Sequence, residues 1–281
     1  MQVIVARTAG FCMGVDLALK KLDRVVAEHP ERRICTLGPI IHNPQVLKRY
    51  EENGVKRIDD DKDATGGDVT VIRAHGIPKS TEQSLLRKGV MLRDATCPKV
   101  KKAQVLIDEQ TGKGKTLLLY GEANHPEVRG LLSYADEGAL VFDEIADIED
   151  KLDPDKKYFL AAQTTQDRAE FFKIRDWLLK NVDPDMPILE TICDATKVRQ
   201  QEAIDIAREV DFMVVAGGYE SGNTRRLFKV VKDQGVPCIH VETADELDPE
   251  DFRSSQIVGL TAGASTPDNI IAEIKARLQS F

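Results

Sequence analysis

The chain has 281 residues, of which 42% are hydrophobic and 31% charged, so it is long enough to bury one large core or several small ones. Its formal net charge of −8 argues against general nucleic-acid binding, because that function needs a basic face. No apolar run reaches the ~20 residues of a membrane span, and the start lacks the features of a signal peptide. Five cysteines in such a chain do not form a typical disulfide framework, so we expect a reducing cytoplasm and no membrane partner.

Predicted strands and helices alternate along the chain in three repeats. An amphipathic helical pattern follows each of Cys12, Cys97 and Cys193. Each repeat then contains short apolar runs, which are continuous rather than alternating, as is typical of parallel strands covered on both faces. Strands that alternate with helical patterns predict βαβ units. The principal predicted strands are 32–37, 69–73, 116–120, 158–162, 212–216 and 257–261.

The repeats predict three pseudo-equivalent α/β units with mainly parallel sheets. The runs 90–97 and 187–193 are predicted to close the first two units with a strand and to deliver the next cysteine. The last unit ends in a helical pattern, so we expect the N-terminal strand within residues 1–12 to complete its sheet. The three units would then surround one central site. Their predicted bounds are 13–97, 98–193 and 194–281.

Cys12, Cys97 and Cys193 are candidate metal ligands. A single cysteine at a strand end is more often a core residue, and zinc also takes three thiolates, but three equivalent cysteines favour an iron–sulfur cluster. Three ligands for a four-iron cluster leave one iron open, which can act as a Lewis acid on a substrate oxygen. The closely spaced cysteines of bacterial ferredoxins are absent, which argues against a simple electron carrier. Cys35 and Cys238 lie inside apolar strands and are predicted to be core residues.

Polar residues at predicted strand ends indicate an anion site. Ligands of open α/β sheets bind beyond the carboxyl ends of the strands, where His42, His75 and His125 lie. Two further segments turn from a strand into a helix and direct free N–H groups toward a ligand. N-capping alone explains any one of these polar residues, but together with the histidines they favour a phosphate or diphosphate. The residues of these two segments are Ser221, Gly222, Asn223, Thr224 and Ser265.

Glu127 follows His125 and Pro126 and is predicted to lie in the first turn of a helix. A carboxylate in that position interacts favourably with the helix dipole without any further role. Near an anionic ligand and away from water, its pKa would rise enough for it to donate a proton.

These motifs resemble the LytB family of 4-hydroxy-3-methylbut-2-enyl diphosphate reductases. The matching segments follow the family order from residue 10 to residue 265, which is almost the whole chain. They are AGFCMGV, GPIIHNPQVL, RAHGIP, DATCP, NHPEVRG, QTT, TICDAT with RQQEA, SGNTRRL and TAGAS.

The resemblance implies a three-lobed α/β fold around a [4Fe–4S] cluster with three cysteine ligands, Cys12, Cys97 and Cys193, and one open iron. It implies reductive loss of water from the substrate with two electrons and two protons, as the last step of the non-mevalonate isoprenoid pathway. Ferredoxin or flavodoxin is the implied electron donor. The implied catalytic residues are Glu127, Thr164 and His125, and the implied substrate-binding residues are His42, His75, His125, Thr164, Ser221, Gly222, Asn223 and Ser265.

The chain departs from the family pattern at a few positions. Met13 replaces a common alanine after the first cysteine, and Gly222 replaces a common serine, which removes one hydroxyl from the anion site. Tyr219 and Glu220 replace a segment that usually contains lysine, which removes a positive charge. None of these positions is an implied metal ligand, so we expect activity to persist.

Two other classes of function compete with this interpretation. One is a [4Fe–4S] dehydratase, or a condensing enzyme similar to quinolinate synthase, but a substrate without diphosphate leaves the anion site unexplained. The other is a non-catalytic metal-stapled module or redox sensor, which leaves Glu127 and Thr164 without a role. Both conflict with the number of family motifs that occur in order.

Overall fold

Eleven strands form three sheets in which every strand pairing is parallel. The strand orders are β3-β2-β4-β5, β7-β6-β8 and β1-β11-β9-β10. The α/β class with parallel sheets that the sequence predicts is therefore confirmed. The strands are β1 (Gln2–Val5), β2 (Ile34–Leu37), β3 (Lys56–Ile58), β4 (Val69–Ile72), β5 (Met91–Asp94), β6 (Thr116–Tyr120), β7 (Leu140–Phe142), β8 (Tyr158–Ala162), β9 (Phe212–Ala216), β10 (Cys238–Val241) and β11 (Ile257–Ala262).

Nine α-helices connect and cover these strands. None of them has the length and apolar character that a membrane span requires. The helices are α1 (Met13–Glu28), α2 (Pro44–Glu52), α3 (Lys79–Arg87), α4 (Pro98–Thr111), α5 (Pro126–Leu132), α6 (Arg168–Asn181), α7 (Asp194–Ala207), α8 (Gly222–Lys232) and α9 (Asp268–Gln279).

The computed structural model describes residues 1–281, and the chain divides into two units. Unit 1 contains the sheet of β1, β9, β10 and β11, and unit 2 contains the other two sheets. The three-unit organisation with bounds at 13–97, 98–193 and 194–281 stays a prediction. Unit 1 comprises Met1–Asp16, Ile41–Glu52 and Asp194–Phe281, and unit 2 comprises Leu17–Ile40 and Asn53–Cys193.

The sheet of unit 1 is covered on both faces. Alternate side chains of β9 enter two separate apolar clusters, since successive residues of a strand point to opposite faces. Phe212, Val214 and Ala216 pack with the apolar side of α9, whereas Met213 and Val215 pack with α7 and α8. At one edge, β1 pairs with β11 in the register Gln2↔Ile257. The N-terminal strand therefore belongs to the sheet of the last third of the chain.

The three-stranded sheet of unit 2 has the same construction. In β6, Leu118 and Tyr120 pack against α6, while Leu117 and Leu119 pack against α4 and α5. Strand β8 is buried at all five positions. This burial on both faces explains why the strands are continuous apolar runs in the sequence.

Residues 187–193 do not form the closing strand that the sequence predicts. A single bridge joins Ile188 to Leu160. Farther along, the Thr191 hydroxyl replaces backbone pairing, because it donates to the Ala162 carbonyl at 2.6 Å and accepts the Ala162 N–H at 2.8 Å. The segment follows the sheet edge through this side chain rather than through a regular ladder.

We expect the Gly259→Ala substitution to destabilise unit 1. Gly259 lies in β11, and a Cβ atom there would overlap Met213 Sδ and lie 2.7 Å from Ile206 Cγ2 of α7. Overpacking of this kind costs about 1–3 kcal/mol, which denaturant unfolding would measure. The control is Gly130→Ala in α5, where the nearest atom would be 3.7 Å away. Equal unfolding midpoints for the two variants would contradict this packing.

Candidate active site

Each predicted metal-ligating cysteine lies directly before a helix. Cys12 precedes α1, Cys97 precedes α4 and Cys193 precedes α7, and all three are partly buried and outside any disulfide. The backbone N–H of each cysteine donates to a carbonyl two residues beyond the end of a strand. The distances are 3.2 Å from Cys12 to Ala264, 2.9 Å from Cys97 to Ala74 and 2.9 Å from Cys193 to Thr164. The three cysteines that repeat in the sequence therefore also share the same backbone hydrogen bond.

The other two cysteines are core residues, as the sequence predicts. Cys35 is fully buried in β2 within an apolar cluster of unit 2, and burial raises the pKa of its thiol. Cys238 is partly buried in β10 beside the α7 and α8 cluster, and burial raises its pKa as well. A raised pKa disfavours the thiolate, the form that binds metal.

Glu127 and Thr164 form a buried pair in unit 2. Glu127 lies in the first turn of α5, as predicted, and only 1% of its surface is exposed. The Thr164 N–H donates to Glu127 Oε1 at 2.6 Å, and the Thr164 hydroxyl lies 3.0 Å from Oε2. Both carboxyl oxygens therefore have a partner on the same residue, which follows β8.

Burial raises the pKa of Glu127 to about 7, although the two Thr164 hydrogen bonds lower it. Burial dominates because the charged form loses its hydration and no cation pairs with it. The carboxyl group is therefore close to half protonated at neutral pH. When protonated, it can donate to the Thr164 hydroxyl, so the pair can hold or pass a proton.

His125 and His75 lie beside this pair in unit 2. His125 caps α5, and its Nδ1 accepts the Glu127 N–H at 3.1 Å, which leaves the proton of the neutral ring on Nε2. The His75 ring meets the His125 ring edge to face, with centroids 5.3 Å apart. His75 also follows Ala74, which accepts the Cys97 N–H. Two predicted substrate-binding histidines, the candidate acid and the Cys97 backbone are thus connected by neighbouring contacts.

Arg73, which precedes Ala74, is a further candidate residue that the sequence motifs do not single out. Its Nε donates to the Gly76 carbonyl at 3.4 Å and so closes the turn that holds His75. Burial and, to a smaller extent, the nearby charge of Arg129 lower the pKa of Arg73 to about 10. Two neighbouring guanidinium groups would attract an anion. The signal was present in the sequence as the arginine of the RAHG motif.

The remaining predicted substrate-binding residues meet in unit 1, in a group that we call the cradle: His42, Ser221, Gly222, Asn223 and Ser265. The Ser265 hydroxyl donates to the His42 carbonyl at 3.2 Å and lies 3.3 Å from Ser221 Oγ. Ser221 caps α8, whose first residues are Gly222 and Asn223. Asn223 Nδ2 is buried and has no hydrogen-bond partner. An amide donor in this state is available to a bound anion.

Tyr219 orders the loop before the cradle. Its N–H donates to Glu242 Oε1 at 2.6 Å, and its hydroxyl donates to Glu246. The hydrogen bond to Glu246 raises the pKa of Tyr219 to about 12. The tyrosine therefore lies against two carboxylates, those of Glu242 and Glu246.

A family model described as LytB protein matches residues 3–279. A 4-hydroxy-3-methylbut-2-enyl diphosphate reductase of Nitratidesulfovibrio vulgaris (strain DSM 19637 / Miyazaki F) is 57% identical, with both chains covered completely. The reductase of the same name from Aquifex aeolicus (strain VF5) is 41% identical over all of this chain and 97% of its own length.

Two solved structures are similar to this chain. The E-1-hydroxy-2-methyl-but-2-enyl-4-diphosphate reductase of Plasmodium falciparum has a TM-score of 0.94 and 27% identity, over 99% of this chain and 88% of its own. A second is described as (E)-4-hydroxy-3-methyl-but-2-enyl diphosphate reductase, the terminal enzyme of the non-mevalonate pathway. It has a TM-score of 0.71 and 40% identity, and both chains are covered completely.

We expect Glu127 to make folding stability depend on pH. Because its folded pKa of about 7 exceeds the usual 4.5, its stabilising contribution is complete below pH 4.5 and is lost as pH rises to about 7. Relative to Glu127→Gln, the parent should therefore lose up to about 3 kcal/mol of unfolding free energy across this window. Denaturant unfolding at about pH 5 and about pH 8 measures the difference.

The control for this measurement is Glu137→Gln, which removes an exposed carboxyl. Its stability difference from the parent should stay constant between the two pH values. A constant difference for Glu127→Gln as well would mean that the Glu127 pKa is not raised.

Proposed function

The chain belongs to the LytB protein family, and from this membership we infer that it is a 4-hydroxy-3-methylbut-2-enyl diphosphate reductase. It catalyses reductive dehydroxylation of 4-hydroxy-3-methylbut-2-enyl diphosphate to isopentenyl diphosphate and dimethylallyl diphosphate, the last step of the non-mevalonate pathway. The hydroxyl group leaves as water, and each turnover consumes two electrons and two protons. The observation that carries this conclusion is the 57% identity, over the whole of both chains, to a reductase of this name.

We propose that Cys12, Cys97 and Cys193 hold a [4Fe–4S] cluster. The donor set fits this group, because these three thiols are partly buried and outside any disulfide, and each is anchored through its backbone to a sheet. Thiolates are the usual ligands of such clusters. When bound, a cluster with three cysteine ligands supplies single electrons and an open iron that acts as a Lewis acid.

We propose that the cradle binds the diphosphate, together with His75 and His125. The donors that support this assignment are the buried Asn223 amide and the N–H groups in the first turn of α8. The Ser221 hydroxyl adds a further donor, because in its own contacts Ser221 Oγ only accepts. Fixing the diphosphate would orient the allylic part of the substrate and exclude alternative poses, so positioning supplies much of the rate enhancement.

We assign proton delivery to Glu127, with Thr164 near the substrate hydroxyl. A general acid works best when its pKa is near the working pH, and burial brings the pKa of Glu127 to about 7. The Thr164 hydroxyl contacts this carboxyl, so the pair can direct a proton toward the leaving oxygen. His125, whose Nδ1 is occupied by the Glu127 N–H, would present its Nε2 proton to the substrate.

The two electrons must come from an external carrier, and we propose a ferredoxin or a flavodoxin. Five cysteines without a disulfide also favour a reducing compartment, so we propose the cytoplasm.

An anaerobic turnover assay tests the reaction. The protein is reconstituted with iron and sulfide and supplied with a chemical reductant, a mediator and 4-hydroxy-3-methylbut-2-enyl diphosphate. We expect both five-carbon diphosphates as products. If protein with four irons per chain formed neither product, the inferred reaction would be wrong.

In the same assay, Glu127→Gln should retain iron and substrate affinity but lose turnover by about 10²-fold or more, because it cannot donate the proton. The parent rate should fall as pH rises through about 7, where Glu127 loses its proton. The control is again Glu137→Gln, which should retain the parent rate. Parent-like turnover by Glu127→Gln would remove Glu127 from this role.

Cys97→Ser should lose the intact cluster, because a serine hydroxyl does not replace the thiolate ligand. Iron and sulfide content and the visible absorption spectrum measure the loss. The matched control is Cys238→Ser, which changes a partly buried thiol inside β10 and should keep the iron content of the parent. Full iron content and activity in Cys97→Ser would exclude Cys97 as a ligand.

A further inference from the structure

Glu202 of α7 holds the segment that leads to Cys12. Its carboxylate accepts the Arg7 N–H at 2.9 Å, the Thr8 N–H at 2.8 Å and the Thr8 hydroxyl at 2.6 Å. We call residues 7–12 the approach segment. The three hydrogen bonds that the Glu202 carboxylate accepts fix the first two residues of the approach segment against α7.

Arg199, one turn earlier on α7, holds the other end of the approach segment. Its Nη2 donates to the Gly10 carbonyl at 2.9 Å, and its Nη1 donates to the Ala262 carbonyl at 2.6 Å. Ala262 ends β11, and Ala264 then accepts the Cys12 N–H. Arg199 therefore bridges the two backbone segments that meet at Cys12.

The geometry of these contacts leaves the approach segment little freedom. A guanidinium group is planar, so two carbonyls bound to its two Nη atoms are fixed relative to each other. Gly10 has a φ of +98°, and a Cβ there would lie 2.9 Å from Asp268 Oδ1. Arg199 is only 4% exposed, and a buried cation is costly unless its hydrogen bonds are made. The backbone of the approach segment is thus restricted at Gly10 by its positive φ. It is also bound by the buried Arg199 guanidinium and by the Glu202 carboxylate.

We propose that Arg199 and Glu202 are positioning residues of the iron–sulfur site, which hold the Cys12 thiol where the cluster binds before the cluster is present. This rests on the proposed function, because it takes Cys12 as a ligand. Neither residue contacts the thiol directly. They act through the backbone of the approach segment and through the end of β11.

A purely structural role would predict only a loss of stability, so a matched control is needed. Asp211 provides it within unit 1. Its carboxylate accepts the N–H groups of Gln256 and Ile257 at 2.8 and 2.9 Å, at the amino end of the sheet. Asp211→Asn therefore removes the negative charge from hydrogen bonds of the same kind as those that Glu202→Gln weakens, but at the sheet end opposite to Cys12.

The first test measures how fast the reconstituted full-length protein loses iron to a chelator under anaerobic conditions. Residues behind a metal ligand typically change metal affinity by about 10- to 100-fold, so Glu202→Gln and Arg199→Lys should lose iron faster by a factor in this range. Asp211→Asn should lose iron at the parent rate, even where its melting temperature falls equally. Parent-like iron loss by both α7 variants would overturn the proposal.

The second test uses cluster-free protein and does not depend on activity. Alkylation of Cys12 and Cys97 by the same thiol reagent is followed by mass spectrometry, with Cys97 as the internal reference. The Cys12 to Cys97 rate ratio should change in Glu202→Gln and Arg199→Lys and stay constant in Asp211→Asn. An unchanged ratio in the α7 variants would refute the positioning role. A parent protein that binds no cluster would instead refute the proposed function.

Discussion

The candidate site depends on a backbone hydrogen bond that occurs at all three cysteines that precede helices. The N–H of Cys12, Cys97 and Cys193 each donates to a carbonyl two residues beyond a parallel strand. A thiol has few ways of fixing its own position, whereas a sheet buried on both faces is among the most rigid parts of a fold. The cysteines therefore take their positions from the strands, and a helix begins at the residue after each of them.

Thr164 shows how closely the chemistry depends on this arrangement. Its carbonyl accepts the Cys193 N–H, while its own N–H and hydroxyl contact the two carboxyl oxygens of Glu127. One residue thus connects a candidate cluster ligand to the candidate proton donor. A shift in the segment after β8 would displace Glu127 and Cys193 together. The positions of the candidate proton donor and the candidate cluster ligand are therefore coupled.

The sequence predicts the fold well because parallel strands buried on both faces leave a strong apolar signal. The pairing of β1 with β11 also follows from the sequence, since the last unit has no closing strand of its own. Residues 187–193 differ because Thr191 replaces ladder hydrogen bonds with side-chain ones, which no apolar pattern reveals. The raised pKa of Glu127 also cannot be predicted from the sequence pattern. The residue is identifiable in the sequence, but its burial is a property of the packed structure.

Arg199 and Glu202 illustrate a further limit. Both belong to a segment that matches the family, yet a sequence motif does not show which backbone groups their side chains bind. Their partners Thr8, Gly10 and Ala262 are distant in sequence and meet them only through the sheet of unit 1. Contacts of this kind depend on tertiary structure and are found only by accounting for each buried polar group.

The carboxylates that Tyr219 contacts add negative charge beside the cradle without removing its donors. Burial raises the pKa of Glu246, but the Tyr219 hydroxyl and backbone N–H groups outweigh it, so the pKa of this carboxyl lies below its usual value. Glu242 in turn accepts the Tyr219 N–H. Because these carboxylates are satisfied by local donors, much of their charge is already compensated. The loop before the cradle is therefore ordered by hydrogen bonds, and the N–H groups of α8 remain available to an anion.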